Sequence, residues 1–213
     1  YGPTLFDTQV KNASRMGDGD IEMRALREAV AEHPANSALR RRLAAKFLAA
    51  GYGDLAVEHL RLAVAAAPDD ELLLVDLGRA LESEGAEQQA ADLLNKYVIG
   101  LPETKQANVS TVSYAAILQD AIGNFTGGER LHRLALSQGG DRADLFNNLG
   151  LNLARQKRAK EAEAVFQQAL AKKPSYELAR NNIAELYATQ LHNADEALLH
   201  WKAISGPAAA HNN

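Results

Sequence analysis

The chain has 213 residues, 46% of them hydrophobic but only 6% aromatic, and its 23 basic and 27 acidic side chains leave a net charge of −4. That balance offers no basic stripe for nucleic acid or an anionic membrane surface. The absence of cysteine excludes disulfides, thiolate catalysis and thiolate metal sites, and no apolar run approaches the roughly 18 residues of a membrane span. A chain without cysteine tolerates either redox environment, so cytoplasm and periplasm both stay open. The opening Tyr1-Gly2-Pro3 carries no initiator methionine and reads as a processed or excised segment.

Prolines set the frame. Pro34, Pro68 and Pro102 are 34 residues apart, and Pro174 follows 72 residues later, two periods plus four. A fixed period of this length marks a chain built by copying one supersecondary unit. Residues 1–36 predict a degenerate first helix near Leu5 to Met16, then a good second helix from about Asp20 to Glu32, ended by Pro34. Asp18, Asp20 and Glu22 alternate like the start of a calcium loop. The sixth and twelfth positions hold Met23 and Ala29 instead of Gly and Glu, so Asp20 is read as a helix cap. Residues 37–70 keep Leu43, Ala44, Phe47, Ala56, Leu60, Ala63 and Pro68. Residues 71–104 keep Leu74, Leu77, Gly78, Leu81, Ala90, Leu94 and Pro102.

Residues 105–142 form an irregular repeat. The stretch from Glu103 to Asn108 absorbs the four extra residues as a longer loop and hinge, and Gly128 and Gly140 stand where Ala and Pro are expected. The clearest copy runs from Ala143 to Tyr176. Phe146, Leu149, Gly150 and Leu153 recur at helical spacing, as do Ala162, Val165, Phe166 and Ala169. Pro174 ends the second helix because proline cannot continue the hydrogen-bond ladder. Residues 177–210 keep Ile183, Ala184 and Tyr187, while Ala197 and Trp201 sit one place late, implying an insertion near His192-Asn193. Residues 143–213 thus hold two repeats and the start of a further helix.

These columns resemble the tetratricopeptide repeat. The copy at 143–176 carries that family's eight signature positions as Phe146, Leu149, Gly150, Leu153, Ala162, Phe166, Ala169 and Pro174. The resemblance covers nearly the whole chain and implies an all-α fold, a right-handed solenoid of antiparallel helix pairs with about six repeats. It also implies that positions 2, 5, 6, 9, 12 and 13 of each first helix face an inner groove that binds a protein or extended peptide, without cofactor or catalysis.

Asn147, Asn181 and Asn212 fall at position 5, and Asn148, Asn182 and Asn213 at position 6. A carboxamide donates and accepts together, so such a ladder can grip a peptide backbone whatever its side chains. It is similar to the ladder in the repeat superhelix of O-linked N-acetylglucosamine transferases. Asparagine is also common here in the repeat family, where it ties neighbouring helices, and both readings stay open. Towards the N-terminus, position 6 holds Arg42, Asp76 and Tyr114. Arg41 and Arg42 point inward with forks suited to carboxylates. The carboxylate clamp of chaperone-tail adaptors needs asparagine at position 9, where this chain has Ala45, Arg79, Ile117, Leu151 and Glu185.

His33, His59, His132, His192, His200 and His211 show no metal-ligand spacing and read as solvated surface groups. Asn12, Asn108 and Asn124 begin glycosylation sequons, relevant only in a secretory pathway. Solenoids need a polar cap on their last apolar face, so the face of Ala197, Leu198, Trp201 and Ile204 is expected to be covered by a further repeat, by a partner, or by self-association with another copy. The leading expectation is a non-catalytic binding scaffold. The alternatives are the repeat region of a larger enzyme such as a glycosyltransferase, or a bacterial envelope or pilus assembly factor.

Overall fold

The computed structural model describes residues 20–209, with side-chain surroundings as far as Ile204. Its eleven helices, with no strand among the described residues, are α1 (Ile21–Glu32), α2 (Ser37–Ala49), α3 (Gly53–Ala66), α4 (Glu71–Ser83), α5 (Glu87–Gly100), α6 (Val109–Ala121), α7 (Phe125–Gly139), α8 (Ala143–Arg155), α9 (Ala159–Lys172), α10 (Glu177–Thr189) and α11 (Ala194–Ala209). The helix expected near Leu5 to Met16, together with His211, Asn212 and Asn213, lies outside the described residues. The chain divides into two compact units, residues 1–94 and 95–213, with the division inside α5.

The turns repeat as faithfully as the helices. Within a pair, Gly51 takes φ +78°, so its N–H reaches the Leu48 carbonyl at 3.0 Å and the Tyr52 N–H reaches that of Phe47 at 2.8 Å. Gly85 and Gly123 close α4 and α6 in the same way, at φ +73° and +80°. These glycines share one register position, a signal that the proline spacing did not bring out. In the next copy Lys157 holds the position at φ +63°, a conformation that costs a residue with a Cβ roughly 1–2 kcal/mol. The last connection, 190–193, has one residue more, and there His192 takes the positive φ, +52°.

Between pairs, Pro34, Pro68 and Pro174 occupy the second place of a tight turn, the one their fixed φ suits. The closing bonds are Asn36 N–H to His33 O at 3.0 Å, Asp70 N–H to Ala67 O at 3.2 Å and Tyr176 N–H to Lys173 O at 3.0 Å. Asn36 and Asp70 then cap the following helices by accepting from the Leu39 N–H at 3.1 Å and the Leu72 N–H at 3.0 Å. Asp20 caps α1 likewise, accepting from the Met23 N–H at 2.9 Å. Residues 101–108 join α5 to α6, against three or four residues at every other described connection.

In the first unit, α2 packs on α1 and α3, and α3 on α4. Leu43, Ala44, Phe47, Ala56 and Leu60 are all buried at this core. In the second unit α6 packs on α7, α7 on α8, α8 on α9, α9 on α10 and α10 on α11, while α8 also touches both α6 and α10. The core there gathers Leu149, Leu153, Ala162, Phe166, Ile183, Leu186, Tyr187 and Ala197. A Cβ added at Gly150 would lie 2.7 Å from the Phe166 ring, so the missing side chain is what lets the ring sit flush on α8. Of the apolar residues on α11, Ala197 is buried in this core, whereas Leu198 and Trp201 are exposed.

Candidate functional site

The first helices of the second unit, α6, α8 and α10, present their expected groove positions to two open clefts. One, of about 330 Å³, is lined by Ile117, Asp120, His132, Asn148, Leu151 and Arg155 among others. The second, of about 280 Å³, shares Leu151 and Arg155 and adds Lys157, Phe166, Asn182, Glu185 and Leu186. Asn148 and Asn182 occupy position 6, Ile117, Leu151 and Glu185 position 9, Asp120 position 12 and Arg155 position 13. Helical spacing thus brings four register positions to one face.

The position-6 side chains also bind the preceding repeat. Asn182 Nδ2 donates to Asn147 Oδ1 at 2.8 Å, and Asn147 Nδ2 to Asn148 Oδ1 at 3.4 Å. Asn148 Nδ2 then reaches Ser113 Oγ at 3.5 Å. In the first unit Arg41 Nε pairs with Asp76 Oδ2 at 2.5 Å. One rule covers all three junctions: position 6 of a repeat bonds to position 5 of the repeat before it. Asn147 is therefore buried, Asn148 and Asn182 are half-buried, and Asn181 is exposed. Arg41, Asp76 and Tyr114 are half-buried, while Arg42 is exposed without a partner among the described residues.

Behind the first cleft lies a polar group that the sequence reading placed on the surface. His132 is 1% exposed, so its reading as a solvated histidine is corrected. It occupies the register position of Phe166, and its Nε2 faces Asp120 Oδ2 at 3.0 Å. Asp120 Oδ1 also accepts from Asn152 Nδ2 at 2.5 Å, and the same amide nitrogen donates to the Phe125 carbonyl at 2.8 Å. Gly128 now has a reason. A Cβ there would collide with Asp120 Oδ1 and approach Asn152 Nδ2 to 3.0 Å, so the usual alanine does not fit. The network needs two departures from the repeat signature, Gly128 for alanine and His132 for phenylalanine, of which Gly128 was legible as a departure without its cause.

The network runs outward. Gln156 Nε2 donates to Asn152 Oδ1 at 2.7 Å and to Glu129 Oε2 at 3.0 Å. Arg158 Nη1 and Arg133 Nη2 also donate to Glu129, at 2.5 and 2.8 Å. Burial pushes the Glu129 carboxyl up, but the hydrogen bonds from Gln156, Arg133 and Arg158 and the Arg158 charge outweigh it, holding the group at about 2. A free glutamate titrates near about 4.3. Between those values the unfolded chain binds more protons, so stability is full above about 4.3 and is lost as pH falls towards about 2. Urea midpoints measured from pH 5 to pH 3 should therefore fall less steeply for Glu129→Gln than for the native chain. Equal slopes would mean that Glu129 is not held this way.

No group of three or more His, Cys, Asp or Glu suited to a metal ion occurs among the described residues, nor is any described helix long and apolar enough to cross a membrane. The helix pairs, their turn geometry and the bonds between repeats define one architecture, and solved structures match it. MamA 41-end from Desulfovibrio magneticus RS-1 superposes with a TM-score of 0.71 at 15% identity, over 83% of this chain and 97% of that one. A further MamA structure gives 0.71 at 18% identity, over 83% and 96%. YrrB, described as a TPR protein with an unusual peptide-binding site, gives 0.66 at 14% identity, over 88% and 94%. The fold is a tetratricopeptide-repeat solenoid. At these identities the likeness carries the fold alone. No family model and no curated protein matches the chain.

Proposed function

We propose that this tetratricopeptide-repeat chain is a binding scaffold that holds an extended segment of another protein across the clefts of α6, α8 and α10. The observation that carries this reading is the meeting of polar groove positions and apolar walls at two joined clefts. The asparagine ladder serves both purposes that the sequence left open. Each primary amide has two N–H donors and an acceptor oxygen. Asn182 gives one N–H to Asn147, and Asn148 gives one to Ser113. Each keeps a second donor and acceptor capacity for a peptide bond laid across it. Ties between repeats thereby aim the amides that grip the ligand.

A photo-crosslinking residue at position 151 tests the face. It should capture a partner that the same residue at Gln168, on the exposed side of α9, does not. Equal capture at both positions would overturn the reading. With the captured partner in hand, Asn148→Ala combined with Asn182→Ala should weaken binding about ten-fold, the loss of two modest hydrogen bonds. Unchanged affinity would leave the ladder as ties only.

A further inference from the structure

We infer that Arg155 recognises a single carboxylate on the bound peptide, set beside an apolar side chain that enters the α6–α8 cleft. This rests on the scaffold reading and names what the scaffold selects. Arg155 is the last residue of α8, is exposed, and lines both clefts. It forms no hydrogen bond or ion pair with any described residue. Its neighbours differ: Arg133, Arg142 and Arg158 each hold a carboxylate, those of Glu129, Asp144, and Glu129 with Glu161.

The acids nearby are either engaged or held off. Asp120 lines the first cleft but is bound by His132 and Asn152. Glu185 shares the second cleft with Arg155 and Lys157 and forms no ion pair with either. An unmatched guanidinium whose planar fork fits a carboxylate is thus left facing the groove. Beside it, Ile117 is 42% exposed, and it and Leu151 form an apolar wall. Both features border one cleft, so the acidic and apolar side chains sit within about three residues of each other at 3.3–3.6 Å per residue. Glu185 beyond Arg155 repels a second acid on that side. The preferred sequence is therefore one acidic residue next to an apolar one, not an acidic run.

A random peptide library displayed on phage and panned on the whole chain tests this. Selected peptides, made with a fluorescent label, are titrated against the native chain, Arg155→Ala, Arg155→Lys and Arg155→Glu. We expect one Asp or Glu beside an apolar residue in the selected peptides. Arg155→Ala should weaken binding about ten-fold, as for one lost charged hydrogen-bonded pair. Amidating the peptide's acid should then cost nothing more. Arg155→Lys should recover part of the loss, and Arg155→Glu should accept the peptide in which Lys replaces the acid. Peptides that crosslink to position 151 yet carry no acid, or ignore Arg155→Ala, overturn the inference and leave the scaffold reading standing. A library that yields no groove-bound peptide overturns both. Arg155 is exposed and unpaired, so its variants are expected to fold, which a helical circular dichroism spectrum checks.

Discussion

Phe166→Ala is expected to lower the unfolding free energy by about 3–5 kcal/mol, the range for truncating a buried aromatic. Phe166 is fully buried in the cluster that joins α8, α9, α10 and α11. Gly150 supplies no side chain to close over the gap, because its bare α-carbon is the surface that the ring rests on. The hole therefore stays open and the site collapses poorly, which places the cost in the upper part of the range. Repeat arrays lose structure locally, so amide exchange should quicken in α8–α11 before α2 and α3 are affected. A urea-derived loss below about 1 kcal/mol would contradict this account of the core.

The second large effect is electrostatic. Asp120→Ala is expected to cost about 3 kcal/mol or more, because it strands the buried His132 Nε2 and one N–H of Asn152, each left without its hydrogen-bond partner. The carboxylate is costly to bury and is retained by its partners, at 3.0 Å to His132 and 2.5 Å to Asn152. Removing one partner is therefore worse than removing both. Asp120→Ala combined with Asn152→Ala should cost clearly less than the sum of the single changes, since contacting groups in one network do not add. Thermal melts of the four proteins in this cycle measure the coupling. Simple additivity would show that Asp120 and Asn152 act independently.

The helix pairs were legible in the sequence because the repeat writes its packing twice, once in the prolines and once in the small and large residues that meet across each pair. Gly150 and Phe166 were both legible as signature positions, while their direct contact was not. The His132 network could not be read, because its members come from α6, α7 and α8, and Asp120 and Asn152 stand at positions the repeat signature leaves open. Three lapses in one repeat, at Gly128, His132 and Gly140, were the available sign. The asparagines were placed at the right register, yet Asn147 lies inside the chain, since position 5 turns towards the following repeat rather than to the groove. Arg155 left no trace because position 13 reads Ala49, Ser83, Ala121, Arg155 and Thr189, and a group whose meaning is the absence of a partner shows only in three dimensions.

The bonds from position 6 to the position 5 before it, at the three junctions that have them, have a consequence for how such an array can grow. The junctions are keyed: Asp76 fits Arg41, while Asn148 fits Ser113 and Asn182 fits Asn147. Swapping modules between slots would part the Asp76 carboxylate from its cation or leave the Arg41 cation unanswered. The segment 143–176 is different, since its own position 6 and position 5 are both asparagine, the combination already joined between Asn182 and Asn147. It can follow a copy of itself, so tandem duplication of this one module would lengthen the ladder without inventing a new joint.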